Sequence, residues 1–189
     1  MNISALILAA GSGSRIGKPK LILEYGGKSF LKIIAEKIGN TGIKNIVCVI
    51  SSDKYDWAKE NVPGIEYIIN PNPENGMISS VYYGVKELNI CDAVLIIPVD
   101  HPFVLDETYK LIIGVVQENK GCVIKPKYKD KSGHPVIIPN ELFETILKND
   151  FSVGLDKIIA QSGCKQKYID VEDIGVVNNI NTKNDFNIE

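Results

Sequence analysis

Glycines and basic side chains are concentrated in residues 11–20, directly after the first apolar run of the chain. Gly11, Gly13 and Gly17 permit tight backbone turns that bring N–H groups against a ligand. The same segment supplies hydroxyls and cations, namely Ser12, Ser14, Arg15, Lys18 and Lys20. Amides and fixed positive charge together suit a polyphosphate, whose oxygens accept many hydrogen bonds. The position after a strand favours a phosphate-binding loop over a glycine turn with solvated bases.

Two common phosphate motifs do not fit this loop. A Walker A loop needs four residues between its glycines and then Lys-Ser/Thr, whereas Gly13 and Gly17 enclose three and Lys18 precedes a proline. The dinucleotide fingerprint requires a third glycine where the chain has Ile16. A nicotinamide-dependent dehydrogenase is therefore only a weak alternative.

A second residue that could take part in chemistry is Asp100, which follows the apolar run 93–97. A carboxylate at the end of a buried strand is well placed to bind Mg²⁺, which prefers oxygen ligands. A turn or helix-capping aspartate would be the alternative if the upstream loop were absent. His101 and His134 are the only histidines, and without companion ligands they make a poor zinc site.

The elements that must position these groups alternate along the chain. Apolar runs predict the strands Ser4–Leu8, Asn45–Ile50, Ile65–Ile69, Ala93–Ile97, Cys122–Ile124, Val136–Ile138 and Tyr168–Val171. Segments of helical period lie between them, which predicts a three-layer α/β fold around a mainly parallel, Rossmann-like sheet. Ligands of such sheets bind beyond the carboxyl ends of the strands. The loop after Leu8, the segment 70–76 and Asp100 should therefore share one crevice.

Helix signals add detail near the C-terminus. Leu142, Phe143 and Ile146 form an apolar stripe, and Asn140 is a candidate N-cap before it. Thr182 with Asp185 resembles a capping box for a short final helix.

Composition limits the classes of function. The chain has 189 residues, and its net charge of −2 gives no general attraction to nucleic acid or to an anionic membrane. The four cysteines are spaced singly, as expected of reduced, structural thiols. The sequence contains no long apolar run, signal-like start or linker, so we expect a cytoplasmic protein with one domain over residues 1–189.

Several motifs in order resemble the molybdenum cofactor nucleotidyltransferases. That family carries L-A-A/G-G, R-M-G and P-K at the spacing of Leu8-Ala9-Ala10-Gly11, Arg15-Ile16-Gly17 and Pro19-Lys20. Further matches to its cytidylyltransferase branch are Asn70-Pro71 with Gly76-Met77-Ile78-Ser79-Ser80-Val81, then Pro98-Val99-Asp100-His101-Pro102-Phe103, and Gly133-His134-Pro135-Val136. The resemblance therefore extends over most of the chain.

The resemblance implies a fold and a set of roles. The fold would be that of an NTP-transferase domain, of the glycosyltransferase-A-like type. Catalytic roles fall on Arg15, Lys20 and Asp100, an acceptor contact on His134, and Mg²⁺ ligation on Asp100 and Asn181. The implied nucleotide contacts are Leu8, Ala9, Ala10, Gly11, Gly13, Ser14, Arg15, Lys20, Asn70 and Ser79.

The chain mixes features of two branches. Residues 179–185 read Asn-Ile-Asn-Thr-Lys-Asn-Asp where relatives have D-I-D-T-P-E-D or N-I-N-T-P-E-D, so Asn181 resembles the guanylyltransferase branch. An asparagine there supplies an oxygen without charge, and helix capping is its structural alternative. Ala10 stands where guanylyltransferases have glycine, and its methyl group favours the smaller base of CTP.

The resemblance suggests CTP as donor, molybdopterin as acceptor and a cytosine dinucleotide as product. GTP is the alternative donor, and related enzymes with similar loops act on sugar or alditol phosphates. A different class of function is also open, in which the protein binds the cofactor without catalysis and delivers it to a molybdenum hydroxylase.

Overall fold

The computed structural model describes residues 1–11, 17–88, 90–181 and 185. Its strands are β1 (Ile3–Ala9), β2 (Glu24–Tyr25), β3 (Lys28–Ser29), β4 (Ile46–Ile50), β5 (Glu66–Ile69), β6 (Ala93–Pro98), β7 (Val123–Tyr128), β8 (Lys131–Ser132), β9 (Val136–Pro139) and β10 (Gln166–Asp170). Its α-helices are α1 (Phe30–Gly39), α2 (Tyr55–Asn61), α3 (Met77–Glu87), α4 (Asp106–Glu118), α5 (Phe143–Leu147) and α6 (Leu155–Gln161).

The main sheet has the strand order β10-β7-β9-β6-β1-β4-β5, with the short β8 paired to β7. Strands β1, β4, β5 and β6 are parallel neighbours, while β9 runs antiparallel to β6 and β7. The predicted three-layer, mainly parallel α/β fold is confirmed. Strands β2 and β3 form a separate antiparallel hairpin that the sequence patterns did not indicate.

Each face of the sheet has its own buried apolar cluster, because successive residues of a strand point to opposite sides. Ile7 of β1 packs in the cluster that contains Phe30 of α1 and Tyr109 of α4. Leu6 points to the other face, in the cluster that contains Val81 of α3 and Ile146 of α5. Helices therefore cover both faces, and ligands must approach at the edge where the parallel strands end.

The sequence predicts two helix caps in the C-terminal part of the chain, at Asn140 and at Thr182. Helix α5 begins at Phe143 after a 3-10 turn over Asn140–Leu142, so the prediction that Asn140 caps it is wrong. The Asn140 side chain instead donates to the Cys91 carbonyl at 3.3 Å. The predicted capping box at Thr182 lies outside the described residues. No helix in the described part of the chain is long and apolar enough to span a membrane.

Candidate functional site

A cleft of about 380 Å³ opens at the carboxyl ends of β1 and β6. Its lining comprises Leu8, Ala10, Gly11, Lys20, Pro73, Gly76, Met77, Ser80, Pro98, Val99, Asp100 and Asn181. The three segments that the sequence assigned to one crevice, namely the loop after β1, residues 70–76 and Asp100, all contribute to it. Ala9, also predicted to contact the nucleotide, is 1% exposed at the end of β1 and does not line the cleft.

The strongest polar contacts in the cleft converge on Lys20. Its Nζ donates to Asp100 Oδ2 at 2.7 Å and to Asn181 Oδ1 at 2.6 Å. The side chains of Lys20 and Asp100 are 19% and 18% exposed, so the ion pair is reachable from the cleft but largely screened from bulk water. One cation is therefore held between a carboxylate oxygen and an amide oxygen.

Backbone hydrogen bonds fix this arrangement. The Val99 N–H donates to the Leu8 carbonyl at 3.0 Å, which joins the ends of β6 and β1. The Ile180 N–H donates to the Asp100 carbonyl at 2.9 Å and so brings the next residue, Asn181, beside the carboxylate. The Asn181 N–H in turn donates to Asp185 Oδ2 at 2.8 Å. Asn181 is thus positioned by the preceding residue, Ile180, and by Asp185.

Asp100 and Asn181 carry side-chain oxygens of a kind that suits a divalent cation. Their oxygens are hard ligands of the kind that Mg²⁺ prefers, and they already converge on the ammonium of Lys20, a stand-in cation. No cluster of three or more His, Cys, Asp or Glu side chains suited to a metal occurs among the described residues. The protein would accordingly supply one charged and one neutral ligand, leaving the remaining positions to water and to phosphate oxygens.

Asn70 and Ser79 lie behind the wall of the cleft rather than in it. Asn70 is 2% exposed and Ser79 is fully buried. Asn70 Nδ2 donates to Ser79 Oγ at 2.8 Å and to Ser80 Oγ at 3.0 Å, and Asn70 Oδ1 accepts from the Asn72 N–H. Ser79 Oγ also contacts the carbonyls of Asn72 and Gly76. Their polar atoms thus shape the 72–76 loop, and direct contact with a nucleotide stays a prediction.

Part of the predicted phosphate loop falls outside the described residues. This concerns Gly13, Ser14 and Arg15, whose proposed roles stay predictions. The flanking Gly11 and Lys20 both line the cleft.

A second cavity, of about 800 Å³, adjoins the first and shares Met77 with it. It is bounded by the segment 130–134 and by the start of α6, with Lys125 of β7 and both histidines in its wall. His134, the predicted acceptor contact, lies in this cavity and not in the first. The predicted nucleotide residues that line the cleft therefore face one space, and the predicted acceptor residue faces the neighbouring one.

The two histidines are packed together, with ring centroids 5.0 Å apart. His101 is 6% exposed, and its Nδ1 lies 3.2 Å from the Gly175 carbonyl, so Nδ1 carries the proton in the neutral ring. Burial lowers the pKa of His101, and burial together with the His101 ring lowers the pKa of His134 to about 4. Both rings are therefore neutral near pH 7. His134 Nδ1 is buried and has no hydrogen-bond partner among the described residues.

Close backbone approach explains the glycine before His134. A Cβ on Gly133 would lie 1.9 Å from the Val176 carbonyl oxygen, which accepts a hydrogen bond from the His134 N–H at 2.8 Å. Only glycine lets the two chain segments come this close. The segment therefore fixes His134 against the 174–177 turn that also holds His101.

Met77 and Lys125 are two of the lining residues that were not predicted to bind ligands. Met77 starts α3, is 48% exposed and borders both spaces; its place in the Gly76-Met77 match was the available signal. Lys125 is 7% exposed, and the sequence offered no signal for it, because a lysine near the end of an apolar run is usually solvated.

A family model described as the MobA-like NTP transferase domain matches residues 5–167. A probable molybdenum cofactor guanylyltransferase of Natranaerobius thermophilus is 26% identical over 133 residues, which cover 70% of this chain and 62% of that relative. A protein of the same description from Bacillus cereus is 25% identical over 191 residues, covering 97% of this chain and 93% of the relative.

Solved structures agree in fold. The crystal structure of Rv0371c from Mycobacterium tuberculosis matches with a TM-score of 0.83 at 19% identity, over 98% of this chain and 95% of its own. A structure of that protein in complex with manganese matches with a TM-score of 0.77 at 16% identity, over 98% and 96% of the two chains. At these identities the likeness establishes the architecture alone.

Proposed function

The chain belongs to the MobA-like NTP transferase domain family, and on that premise we propose that it transfers a nucleoside monophosphate from an NTP to the phosphate of molybdopterin. The observation that carries the proposal is the convergence of Lys20, Asp100 and Asn181 on one point of a cleft whose wall includes Gly11. A cation and two oxygens suited to a second cation, beside a glycine-rich loop, are what a triphosphate requires.

The reaction is a substitution at the α-phosphorus of the NTP. An oxygen of the acceptor phosphate attacks, the bond from the α-phosphorus to the bridging oxygen breaks, and pyrophosphate leaves with that bond's electron pair. Such transfers depend on positioning and on stabilising charge, and they need no covalent intermediate on the protein. In this scheme Lys20 neutralises the α-phosphate, and Arg15 holds the outer phosphates as the family resemblance implies.

Asp100 and Asn181 would hold Mg²⁺, which when bound would neutralise phosphate charge and hold phosphate oxygens in place. The manganese complex of Rv0371c supports a divalent ion for this fold. The ammonium of Lys20 lies close enough to both ligands that it must shift towards the phosphates when the site is loaded.

Two donors are supported by separate observations. Ala10 lines the cleft and is 6% exposed, so its methyl group narrows the wall and favours CTP. The relatives described as guanylyltransferases favour GTP. The variant Ala10→Gly distinguishes the two: if the methyl group excludes purines, the variant gains activity with GTP, and if GTP is the natural donor the unaltered protein already uses it.

The test is pyrophosphate release by the full chain with Mg²⁺, molybdopterin and each NTP in turn. We expect release with CTP or GTP and none without acceptor. Binding of nucleotide and molybdopterin without pyrophosphate release would contradict the proposal and favour a carrier that serves a molybdenum hydroxylase. Turnover with a sugar or alditol phosphate but not with molybdopterin would mean that the acceptor is a different phosphorylated molecule. Thermal stabilisation by NAD instead of NTP–Mg²⁺ would favour a dehydrogenase.

A further inference from the structure

The second cavity contains a buried cation that the proposed chemistry does not use. Lys125 points from β7 towards α6 and is 7% exposed, and its Nζ donates to Asp156 Oδ1 at 2.7 Å. The Lys125 side chain is 9% exposed, whereas that of Asp156 is 89% exposed. A buried ammonium needs a counter-ion, and this one is supplied from the solvent side of the cavity mouth.

Loss of the ion pair has a different cost for each of its two partners. An exposed carboxylate loses little when its partner is taken, because water solvates it and exposed pairs contribute little. The buried ammonium, in contrast, must keep an anion close to it. Another anion that reaches the cavity can therefore replace Asp156 while Asp156 turns to solvent.

The other lining groups favour a polar, anionic guest. Lys131 and Lys157 add two cations that form no ion pair with a described residue, and Asp130 is the only other carboxylate of the lining. His134 also lies in the wall, and its ring adds no charge near pH 7 because its pKa is about 4. The cavity thus offers net positive charge to a guest.

We propose that this cavity binds the part of the acceptor beyond its attacking phosphate, and that Lys125 there pairs with an anionic group of the acceptor in exchange for Asp156. The inference rests on the proposed function, since Met77 joins this cavity to the cleft in which the phosphate reacts. The acceptor class is a phosphorylated molecule that carries a second acidic group, such as the dithiolate of molybdopterin. The uncharged body of a sugar or alditol phosphate would leave Lys125 with Asp156.

If the exchange occurs, substitutions of the two partners of the ion pair should change the affinity for molybdopterin in opposite directions. Lys125→Met removes the cation at similar side-chain length, and we expect molybdopterin to bind at least ~10-fold more weakly. Asp156→Asn removes the competing anion at the same shape, and we expect molybdopterin to bind about 2- to 5-fold more tightly, which is the size of an exposed pair. Lys125→Arg keeps the charge and should stay close to the unaltered protein.

The measurement is equilibrium binding of molybdopterin to the full chain, followed by pterin fluorescence, with NTP–Mg²⁺ binding and the thermal midpoint as parallel readouts. Lys86→Met, at the exposed end of α3 and outside both cavities, is the matched control. A purely structural ion pair would lower stability in both variants and would not give opposite changes in affinity.

Unchanged molybdopterin affinity in Lys125→Met, or weaker binding in Asp156→Asn, would overturn the inference while the unaltered protein still transferred nucleotide. Failure of the unaltered protein both to bind and to use molybdopterin would overturn the proposed function, and this inference with it. The two failures are therefore distinguished by the activity of the unaltered protein.

Discussion

The sequence predicts roles at the nucleotide site for two pairs of residues, Lys20 with Asp100 and Asn70 with Ser79. The structure places the two pairs in different environments. The first pair is charged, lines the cleft and is about one-fifth exposed. The second pair is neutral and buried, and its hydrogen-bonding atoms are occupied by each other and by the 72–76 loop. Charge keeps a group near solvent or ligand, whereas amides and hydroxyls can be satisfied internally at no electrostatic cost.

The two pairs illustrate two kinds of role, direct contact with a ligand and positioning of the loop that borders it. Lys20 and Asp100 can act on a phosphate or a metal directly. Asn70 acts through the loop that carries Pro73 and Gly76 into the cleft wall. Variants of the first kind should lower catalysis with the fold intact, and variants of the second kind should change stability and nucleotide binding together.

The largest expected effect is that of Asp100→Asn. It keeps the shape but removes the carboxylate charge opposite Lys20, and we expect kcat to fall by about 10²- to 10³-fold. Pyrophosphate release measures the loss, and a thermal melt verifies the fold. Asp56→Asn, on exposed α2, is the control. Activity within a few-fold of the unaltered protein would remove Asp100 from the catalytic group.

Acidification tests His134, which is partly buried and whose buried Nδ1 has no hydrogen-bond partner among the described residues. Its folded pKa of about 4 lies below the ordinary value of 6.5, so the unfolded chain takes up the proton first as pH falls. Its contribution to stability is complete above pH 6.5 and declines towards pH 4, by up to ~3 kcal/mol.

Chemical denaturation of the unaltered protein and of His134→Gln at pH 7 and pH 4.5 measures that contribution. The variant should lose less stability between the two pH values. Equal losses would mean that the ring is accessible to protons in the folded protein.

Asn70→Ala should have a smaller effect, of a different kind. It removes the amide that joins two serine hydroxyls to the loop, and we expect the free energy of unfolding to fall by about 2 kcal/mol. Because the loop borders the cleft, KM for the NTP should rise more than kcat falls. Denaturant melts and steady-state kinetics measure both. A fall in kcat at unchanged stability would instead point to direct contact with the nucleotide.

The smallest expected effect is that of Asn181→Asp. Added charge strengthens a hard-cation site, so Mn²⁺ affinity in the presence of a non-hydrolysable NTP should rise by about 5-fold. Electron paramagnetic resonance of free Mn²⁺ provides the measurement. An unaltered affinity would mean that the amide only orients its neighbours.

The sheet and the place of the cleft could be predicted because they follow from short-range patterns. Apolar runs fix the strands, and Asp100 lies two residues after the end of one of them. The partners of Lys20 could not be predicted in the same way, since they lie 80 and 161 positions away.

Lys125 shows the same limit more sharply. The sequence predicts that its strand ends at Ile124, but β7 continues to Tyr128. The lysine is buried because Asp156, 31 positions further on, approaches from α6. The buried state of a charged residue depends on a tertiary partner, which periodicity does not report.

The ammonium of Lys20 between two oxygens has a consequence for how ligands enter. The unliganded cleft is already neutralised by a tethered ion, so a free divalent metal must compete with an ammonium that cannot diffuse away. A metal that arrives with a triphosphate does not have to compete in this way, because the triphosphate is a new counter-ion for the displaced ammonium. We therefore expect the site to load by exchange of cations, with the metal entering together with the nucleotide.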